Sequence, residues 1–124
     1  MKNNFKFISE LIKLRLSHIM TFQLGFFAPW SDIPGQFKVF IDRCTPWCDT
    51  HDPHAKIKSG KKGYTIALRT GPSMRECNRI IESIEHFYGH LGIVPSGSLG
   101  LCSVEYKEAV ADRISEIEEF CNRI

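Results

Sequence analysis

The sequence predicts a single α/β domain built on a parallel sheet with helices on both faces. Segments with helical periodicity alternate with short apolar runs in the order helix, strand, helix, loop, strand, helix, strand, helix. Such alternation is typical of parallel sheets, because a helix usually makes each crossover between parallel strands. The 124 residues are enough for one domain with one core. We therefore treat residues 1–124 as a single domain.

Short apolar runs bounded by proline or glycine indicate the strands. Pro95 and Gly97 interrupt the last run, which we expect to form two short pieces. The three runs are Ile19–Ala28, Tyr64–Leu68 and Ile93–Cys102.

Apolar residues that recur at three- and four-residue steps indicate the helices. The clearest is the third, in which Ser73 and Glu76 form a predicted capping box and Gly92 is placed to end the helix. Ser103 is the predicted N-cap of the last helix. The four helices are predicted at Phe5–Ser17, Gln36–Arg43, Ser73–Leu91 and Glu105–Asn122.

Composition indicates a soluble globular protein rather than a nucleic-acid or membrane protein. The formal net charge is only +2, with 43% hydrophobic and 24% charged residues. Charged residues interrupt the N-terminal segment where a secretory signal needs a continuous apolar stretch. The later run Ile19–Ala28 is shorter than the about 20 residues that span a bilayer. We expect a cytoplasmic protein whose five cysteines are free thiols.

Two loops are the candidate site for a ligand, because ligands of open parallel sheets bind beyond the carboxyl ends of the strands. Pro29–Gly35 follows the first predicted strand and Arg69–Ser73 follows the second. Each loop contains glycine and precedes a predicted helix N-terminus. We expect both loops to open on the same edge of the sheet.

The motif "PWSDIPGQFKVFIDR" in the first loop resembles a signature of the flavodoxin-like NAD(P)H-dependent FMN reductases, the family that includes small quinone reductases and iron–sulfur flavoproteins. "GKKGYTIALRTGP" and "IIESIEHFYGHLGIVPSGSL" resemble later motifs of that family and follow in its order. The similarity covers roughly Trp30 to Leu99.

The resemblance implies a flavodoxin-like three-layer sandwich that holds FMN and passes hydride from NAD(P)H to a small-molecule electron acceptor, often as a homodimer. It implies no catalytic acid, base or nucleophile, because the flavin carries the chemistry. The residues that it places around the isoalloxazine ring are Pro29, Trp30, Ser31, Asp32, Ile33 and Gly35 from the first loop, and Thr70 and Gly71 from the second.

The chain departs from the family pattern at its N-terminus. Family members begin with a strand and a loop whose amides and hydroxyls hold the FMN phosphate, whereas this chain begins with a predicted helix. Each lost charge-assisted hydrogen bond would cost about 1.5–3 kcal/mol. We expect a partial domain that lacks the first strand and the phosphate loop and binds FMN weakly. The alternative is a non-catalytic remnant that serves as an interaction or structural domain.

A further alternative is a metal-binding loop in "CTPWCDTHDPH", where Cys44, Cys48, His51 and His54 lie within eleven positions. Thiolate and imidazole are ligands that zinc prefers. However, structural zinc sites usually separate two ligand pairs by a longer insert, and Pro46 keeps the two cysteines off one regular helical face. We therefore expect no metal in this loop and no iron–sulfur cluster. Cys77 and Cys121 lie on apolar stripes and are expected in the core.

Overall fold

A computed structural model describes residues 23–27, 33, 35–50, 57 and 60–124. The predicted helix Phe5–Ser17 and most of the first loop lie outside these residues. The described strands are β1 (Gln23–Phe27), β2 (Lys62–Leu68) and β3 (Val94–Leu101). The described helices are α1 (Gly35–Arg43), α2 (Met74–His90), α3 (Lys107–Ala111) and α4 (Ile114–Asn122), with a 3₁₀ turn at Thr45–Trp47.

The three described strands form a parallel sheet in the order β1-β2-β3. This arrangement confirms the predicted parallel sheet. The prediction of two short pieces at the third strand is wrong, since β3 is continuous. Gly63 pairs with Pro95 and Tyr64 pairs with Gly97, so β3 carries one extra residue at this point. A bulge near the start of a strand accommodates proline, which cannot donate a ladder hydrogen bond.

Hydrophobic clusters lie on both faces of the described sheet, because successive side chains of a strand point to opposite faces. Ile66 and Leu68 of β2 pack in one cluster with α3 and α4, whereas Ala67 packs in the other with α1 and α2. The first cluster includes Leu99, Leu101, Val110, Ile117, Phe120 and Cys121. The second includes Phe37, Cys77, Ile80, Ile84, Phe87 and Tyr88. Both cysteines predicted in the core are buried.

Helix α2 is the most extensively packed described helix, and its apolar stripe faces the sheet as predicted. The predicted capping box at its start is wrong. Ser73 is the N-cap residue but makes no side-chain cap hydrogen bond, and the carboxylate of Glu76 pairs with Arg69. Gly92 ends the helix with φ +70°, as its position predicted. Among the residues described, no helix has both the length and the apolar character needed to cross a bilayer.

The C-terminal segment forms two helices, α3 and α4, where the sequence predicted one. The break lies at Arg113, whose backbone is not helical (φ −108°, ψ 13°). The Arg113 guanidinium donates to the carbonyl of Cys102 at 3.3 Å and pairs with Glu116. The predicted N-cap is also wrong: Tyr106 precedes α3, while Ser103 has φ 58°. The Arg113 side chain contacts the residue after β3, and the Ser103 amide is bonded to Gly71 in the loop after β2. At both positions, a contact near the end of a strand competes with local helix geometry.

Candidate functional site

The candidate flavin edge depends on where β1 and β2 end. Phe27 at the end of β1 is the register partner of Leu68 at the end of β2, and Leu68 is the partner of Leu101 in β3. The strands run in the same direction. The chain therefore leaves all three strands at neighbouring points along one edge of the sheet, the carboxyl edge.

The loop after β2 is hydrogen-bonded to the loop after β3. The Arg69 amide donates to the Leu101 carbonyl at 2.9 Å, and the Val104 amide donates to the Arg69 carbonyl at 2.9 Å. The Ser103 amide donates to the carbonyl of Gly71 at 3.1 Å. These bonds hold the half-buried Gly71 in a defined position at the carboxyl edge.

The side chain of Arg69 packs against this loop. It is only 8% exposed and forms an ion pair with Glu76 in the first turn of α2. A Cβ atom built on Gly71 would lie 3.2 Å from Nη2 of Arg69, so the loop backbone packs directly on the guanidinium group. Because Glu76 balances the charge of Arg69, we interpret this arginine as an anchor of the loop.

Two buried thiols meet beneath the same edge. Sγ of Cys77 in α2 lies 3.3 Å from Sγ of Cys102, which directly follows β3. Burial, together with the hydrogen bond to Cys102, raises the pKa of Cys77 to about 12. The thiolate is the reactive form of cysteine, so Cys77 is an inert core residue. The sequence placed Cys77 in the core but gave no sign of this pairing, which depends on the crossover between α2 and β3.

The structure describes half of the predicted flavin contacts. Pro29, Trp30, Ser31 and Asp32 lie outside the described residues. Ile33 is half-buried against the cluster around α2. Gly35 is exposed at the first position of α1, and a Cβ atom built there would meet nothing within 4 Å. Thr70 and Gly71 are half-buried at the carboxyl edge.

Two grooves run along α1 and α2. The larger has a volume of about 950 Å³ and lies between the two helices, with Ile33 at one side. The smaller, about 500 Å³, lies near the starts of β2 and β3 and is lined mainly by apolar side chains, including Trp47 and Leu91. Neither groove includes Thr70 or Gly71. The loop after β2 therefore lies outside both grooves, whereas Ile33 of the first loop lines the larger one.

A polar cluster joins the loop after α1 to the last turn of α2. The Cys48 Sγ atom lies 3.7 Å from Nδ1 of His90 and 3.6 Å from Oδ1 of Asp49, and Nδ1 of His90 lies 3.2 Å from the same carboxylate oxygen. Nε2 of His90 is 3.1 Å from Nε2 of His86. The hydrogen bond from His90 is the main cause of a lowered pKa of Asp49. Thiol, carboxylate and imidazole groups are metal ligands.

This cluster differs from the ligand set considered from the sequence. Of that set, the cluster contains Cys48, while Cys44 packs against the core beside α2. His51 and His54 lie outside the described residues. His90 was missed because it is 42 positions from Cys48. One sequence signal was present: His86 and His90 are four residues apart and therefore share a helical face.

No protein-family model matches the chain, and no curated protein matches it. A similar solved structure is that of the Trp repressor binding protein from Bacillus subtilis, with a TM-score of 0.58 and 18% sequence identity. The match covers 98% of this chain and 70% of that chain. At this identity the likeness is evidence for the fold alone, and on that evidence the chain has a flavodoxin-like fold.

Proposed function

We propose that this protein is a flavin-dependent oxidoreductase of the NAD(P)H-dependent FMN reductase type, built on a flavodoxin-like three-layer sandwich. The observation that carries the proposal is the parallel register of Phe27 with Leu68, by which the two loops with flavin-family motifs leave adjacent strands at one edge. Three sequence-consecutive neighbours in a parallel sheet also occur in the flavodoxin strand order 2-1-3-4-5. Ligands of that fold bind at the carboxyl edge.

The two described glycines among the proposed flavin contacts have different surroundings. Gly35 has open space around its Cα, and the backbone at Gly71 is held firmly by hydrogen bonds to the neighbouring loop. At Gly35 the absence of a Cβ lets a ring approach the backbone closely, whereas at Gly71 the guanidinium group of Arg69 fills the corresponding space. The amides that begin α1 carry a partial positive charge, which favours the N1/O2 edge of a reduced, anionic flavin.

In this proposal the chain binds and orients, while FMN, when bound, accepts and donates the hydride. Trp30, Ser31 and Asp32 contribute from the first loop, where the indole of Trp30 offers a stacking face. Thr70 and Gly71 contribute from the second loop. NAD(P)H is the electron donor and a small molecule is the acceptor. No side chain needs to act as an acid, base or nucleophile.

The test is a titration of purified protein with FMN, followed by flavin absorbance and tryptophan fluorescence. The chain contains two tryptophans, which provide a matched pair of variants. Trp30→Ala should weaken FMN binding roughly 10-fold, since loss of one stacked aromatic group costs about 1–3 kcal/mol. Trp47→Ala is the control, because Trp47 is 42% exposed and lies in the smaller groove, away from the proposed flavin edge.

Activity is tested by following NADH and NADPH oxidation with a quinone acceptor in the presence of added FMN. Turnover that depends on FMN and falls in Trp30→Ala, but not in Trp47→Ala, supports the proposal. A protein that does not bind FMN at any concentration up to the millimolar range refutes it and favours the non-catalytic alternative. Equal loss of binding in the two variants refutes the assigned position of the ring.

A further inference from the structure

We propose that Cys48, Asp49 and His90 form a binding site for a divalent metal ion of the zinc type. This Cys48–Asp49–His90 cluster lies between the loop after α1 and the last turn of α2. The proposal is independent of flavin binding, because none of the three residues belongs to the proposed flavin contacts. Its ligand set differs from Cys44, Cys48, His51 and His54, the two cysteines and two histidines that are close together in the sequence.

The separations of the three ligand atoms match one face of a zinc tetrahedron. Zinc bonds of about 2.3 Å to sulfur, 2.05 Å to nitrogen and 2.0 Å to oxygen place tetrahedral ligands roughly 3.5–3.6 Å apart for sulfur with either partner, and about 3.3 Å apart for nitrogen with oxygen. The observed distances are 3.7 Å from Sγ to Nδ1, 3.6 Å from Sγ to Oδ1 and 3.2 Å from Nδ1 to Oδ1. A metal ion can therefore be accommodated with little movement of the ligands.

Backbone hydrogen bonds hold the ligands in place. The Asp49 amide donates to the carbonyl of His90 at 2.9 Å, so the loop and the helix end are joined at the cluster itself. The Cys48 amide donates to the carbonyl of Thr45 at 3.0 Å and closes the 3₁₀ turn. Cys48 and His90 are half-buried, which limits the positions that their side chains can adopt. Such preorganisation reduces the ordering cost of metal binding.

His86 supplies a supporting contact. If Nδ1 of His90 binds the metal, its Nε2–H group can donate to Nε2 of His86, 3.1 Å away. A hydrogen bond of this kind from the second ring nitrogen fixes the tautomer and orientation of a metal-binding histidine. Exposed Asp49 also lies on the solvent side, so a fourth coordination position is accessible to water.

The ligand types determine the metal class. Thiolate sulfur and imidazole nitrogen suit zinc and related transition metals, whereas magnesium and calcium prefer sites made of oxygen ligands. A competing arrangement uses the two Nε2 atoms of His86 and His90, with Asp49 as the hydrogen-bond partner of Nδ1. The two arrangements differ in their need for Cys48, and this difference defines the experiment.

The experiment uses flavin-free protein, purified with a chelator, and titrates Zn²⁺ against a chromophoric chelator. The wild type should bind one equivalent. Loss of a supporting residue weakens metal binding roughly 10–100-fold. Cys48→Ser and His90→Gln each remove a direct ligand, so each should weaken binding at least about 100-fold. His86→Gln should weaken it about 10-fold. Cys44→Ser, the matched control in the same segment, should bind like the wild type.

Two direct readouts test the sulfur ligand. Co²⁺ in place of Zn²⁺ should produce a thiolate-to-metal charge-transfer band in the wild type and in Cys44→Ser, but not in Cys48→Ser. In the wild type, Zn²⁺ should protect Cys48 and not Cys44 from alkylation by iodoacetamide. This measurement uses the wild type alone, so it does not require any variant to fold. Failure to compete for one equivalent of Zn²⁺ overturns the proposal. Wild-type binding by Cys48→Ser together with loss in His86→Gln also overturns it, in favour of the two-histidine arrangement.

Discussion

Replacing Gly63 with alanine should destabilise the protein through one identifiable contact. Gly63 is buried in β2, and a Cβ atom built on it would lie 2.5 Å from Cε2 of Tyr88 and 2.9 Å from Cγ2 of Ile93. The Tyr88 ring cannot simply turn away. It is only 1% exposed, and its hydroxyl donates to the carbonyl of Tyr64 at 3.0 Å.

The expected magnitude is the sum of three effects. Forcing an extra carbon into a packed core costs typically 1–3 kcal/mol. Displacing the Tyr88 hydroxyl from its carbonyl partner adds about 0.5–1.5 kcal/mol. Alanine also reduces the conformational entropy of the unfolded chain, which offsets about 0.4–1 kcal/mol of this destabilisation. The net loss in free energy of unfolding is about 2 kcal/mol, which lowers the melting temperature by roughly 8 °C for a chain of this size.

Urea denaturation followed by circular dichroism measures the effect, with Gly89→Ala as the matched control. Gly89 lies in α2, and a Cβ atom built there would meet nothing within 4 Å. Gly89→Ala should therefore stabilise the protein by about 0.5–1 kcal/mol. Adding Tyr88→Leu to Gly63→Ala should reveal a coupling energy of about 1 kcal/mol or more. A Gly63→Ala protein as stable as the wild type, or a strictly additive double variant, would show that the Tyr88 contact is not the cause.

Three further predictions concern buried and paired groups. At about pH 8, iodoacetamide should modify the two half-buried thiols, Cys44 and Cys48. Cys77 should stay unmodified until urea is added, because its pKa is about 12. Peptide mass spectrometry measures the modification, and reaction of Cys77 before the other two would contradict the prediction. Glu76→Gln should lower the free energy of unfolding in urea by about 1–3 kcal/mol, because it removes the carboxylate that forms an ion pair with buried Arg69. A loss below about 0.5 kcal/mol would count against the interpretation of Arg69 as an anchor of the loop. The hydrogen bond from Arg113 lowers the pKa of Glu116 below its ordinary value of 4.5 in the folded protein. The ion pair therefore stabilises the fold fully above pH 4.5, and this stabilisation is lost as the pH falls through the lowered pKa of Glu116. Glu116→Gln should therefore cost about 0.3–0.5 kcal/mol near neutral pH, discounted for solvent exposure, and a cost that persists in acid would contradict the assignment.

The strands and the main helix could be predicted because their signals are local. The run Tyr64–Leu68 is short and apolar, as expected for a strand buried on both faces, and β2 indeed contributes to both hydrophobic clusters. The stripe of α2 repeats with the helical period over 17 residues. Because parallel strands need crossover connections, the alternation of elements then leaves few possible topologies.

The errors occur where a distant partner competes with a local one. Glu76 has the correct spacing for a capping box, but its carboxylate forms an ion pair with Arg69, a buried charged group. Ser103 lies where an N-cap is expected, but its amide is bonded to Gly71 in the loop after β2. A helix pattern extends across Arg113, yet this side chain reaches the carbonyl of Cys102. Each competing contact involves a residue that follows β2 or β3 at the carboxyl edge, where sequence spacing says little about distance.

The Cys48–Asp49–His90 cluster illustrates the same limit in a candidate site. In the sequence, Cys44 and Cys48 belong to one possible ligand set, because both lie in one short segment with two histidines. In the folded chain α1 directs Cys44 toward the core, while the 3₁₀ turn brings Cys48 to the end of α2, beside His90. The decisive contact is the hydrogen bond from the Asp49 amide to the His90 carbonyl, which no side-chain pattern encodes. A comparison of Cys44→Ser with Cys48→Ser in zinc binding therefore tests both the metal site and the fold that creates it.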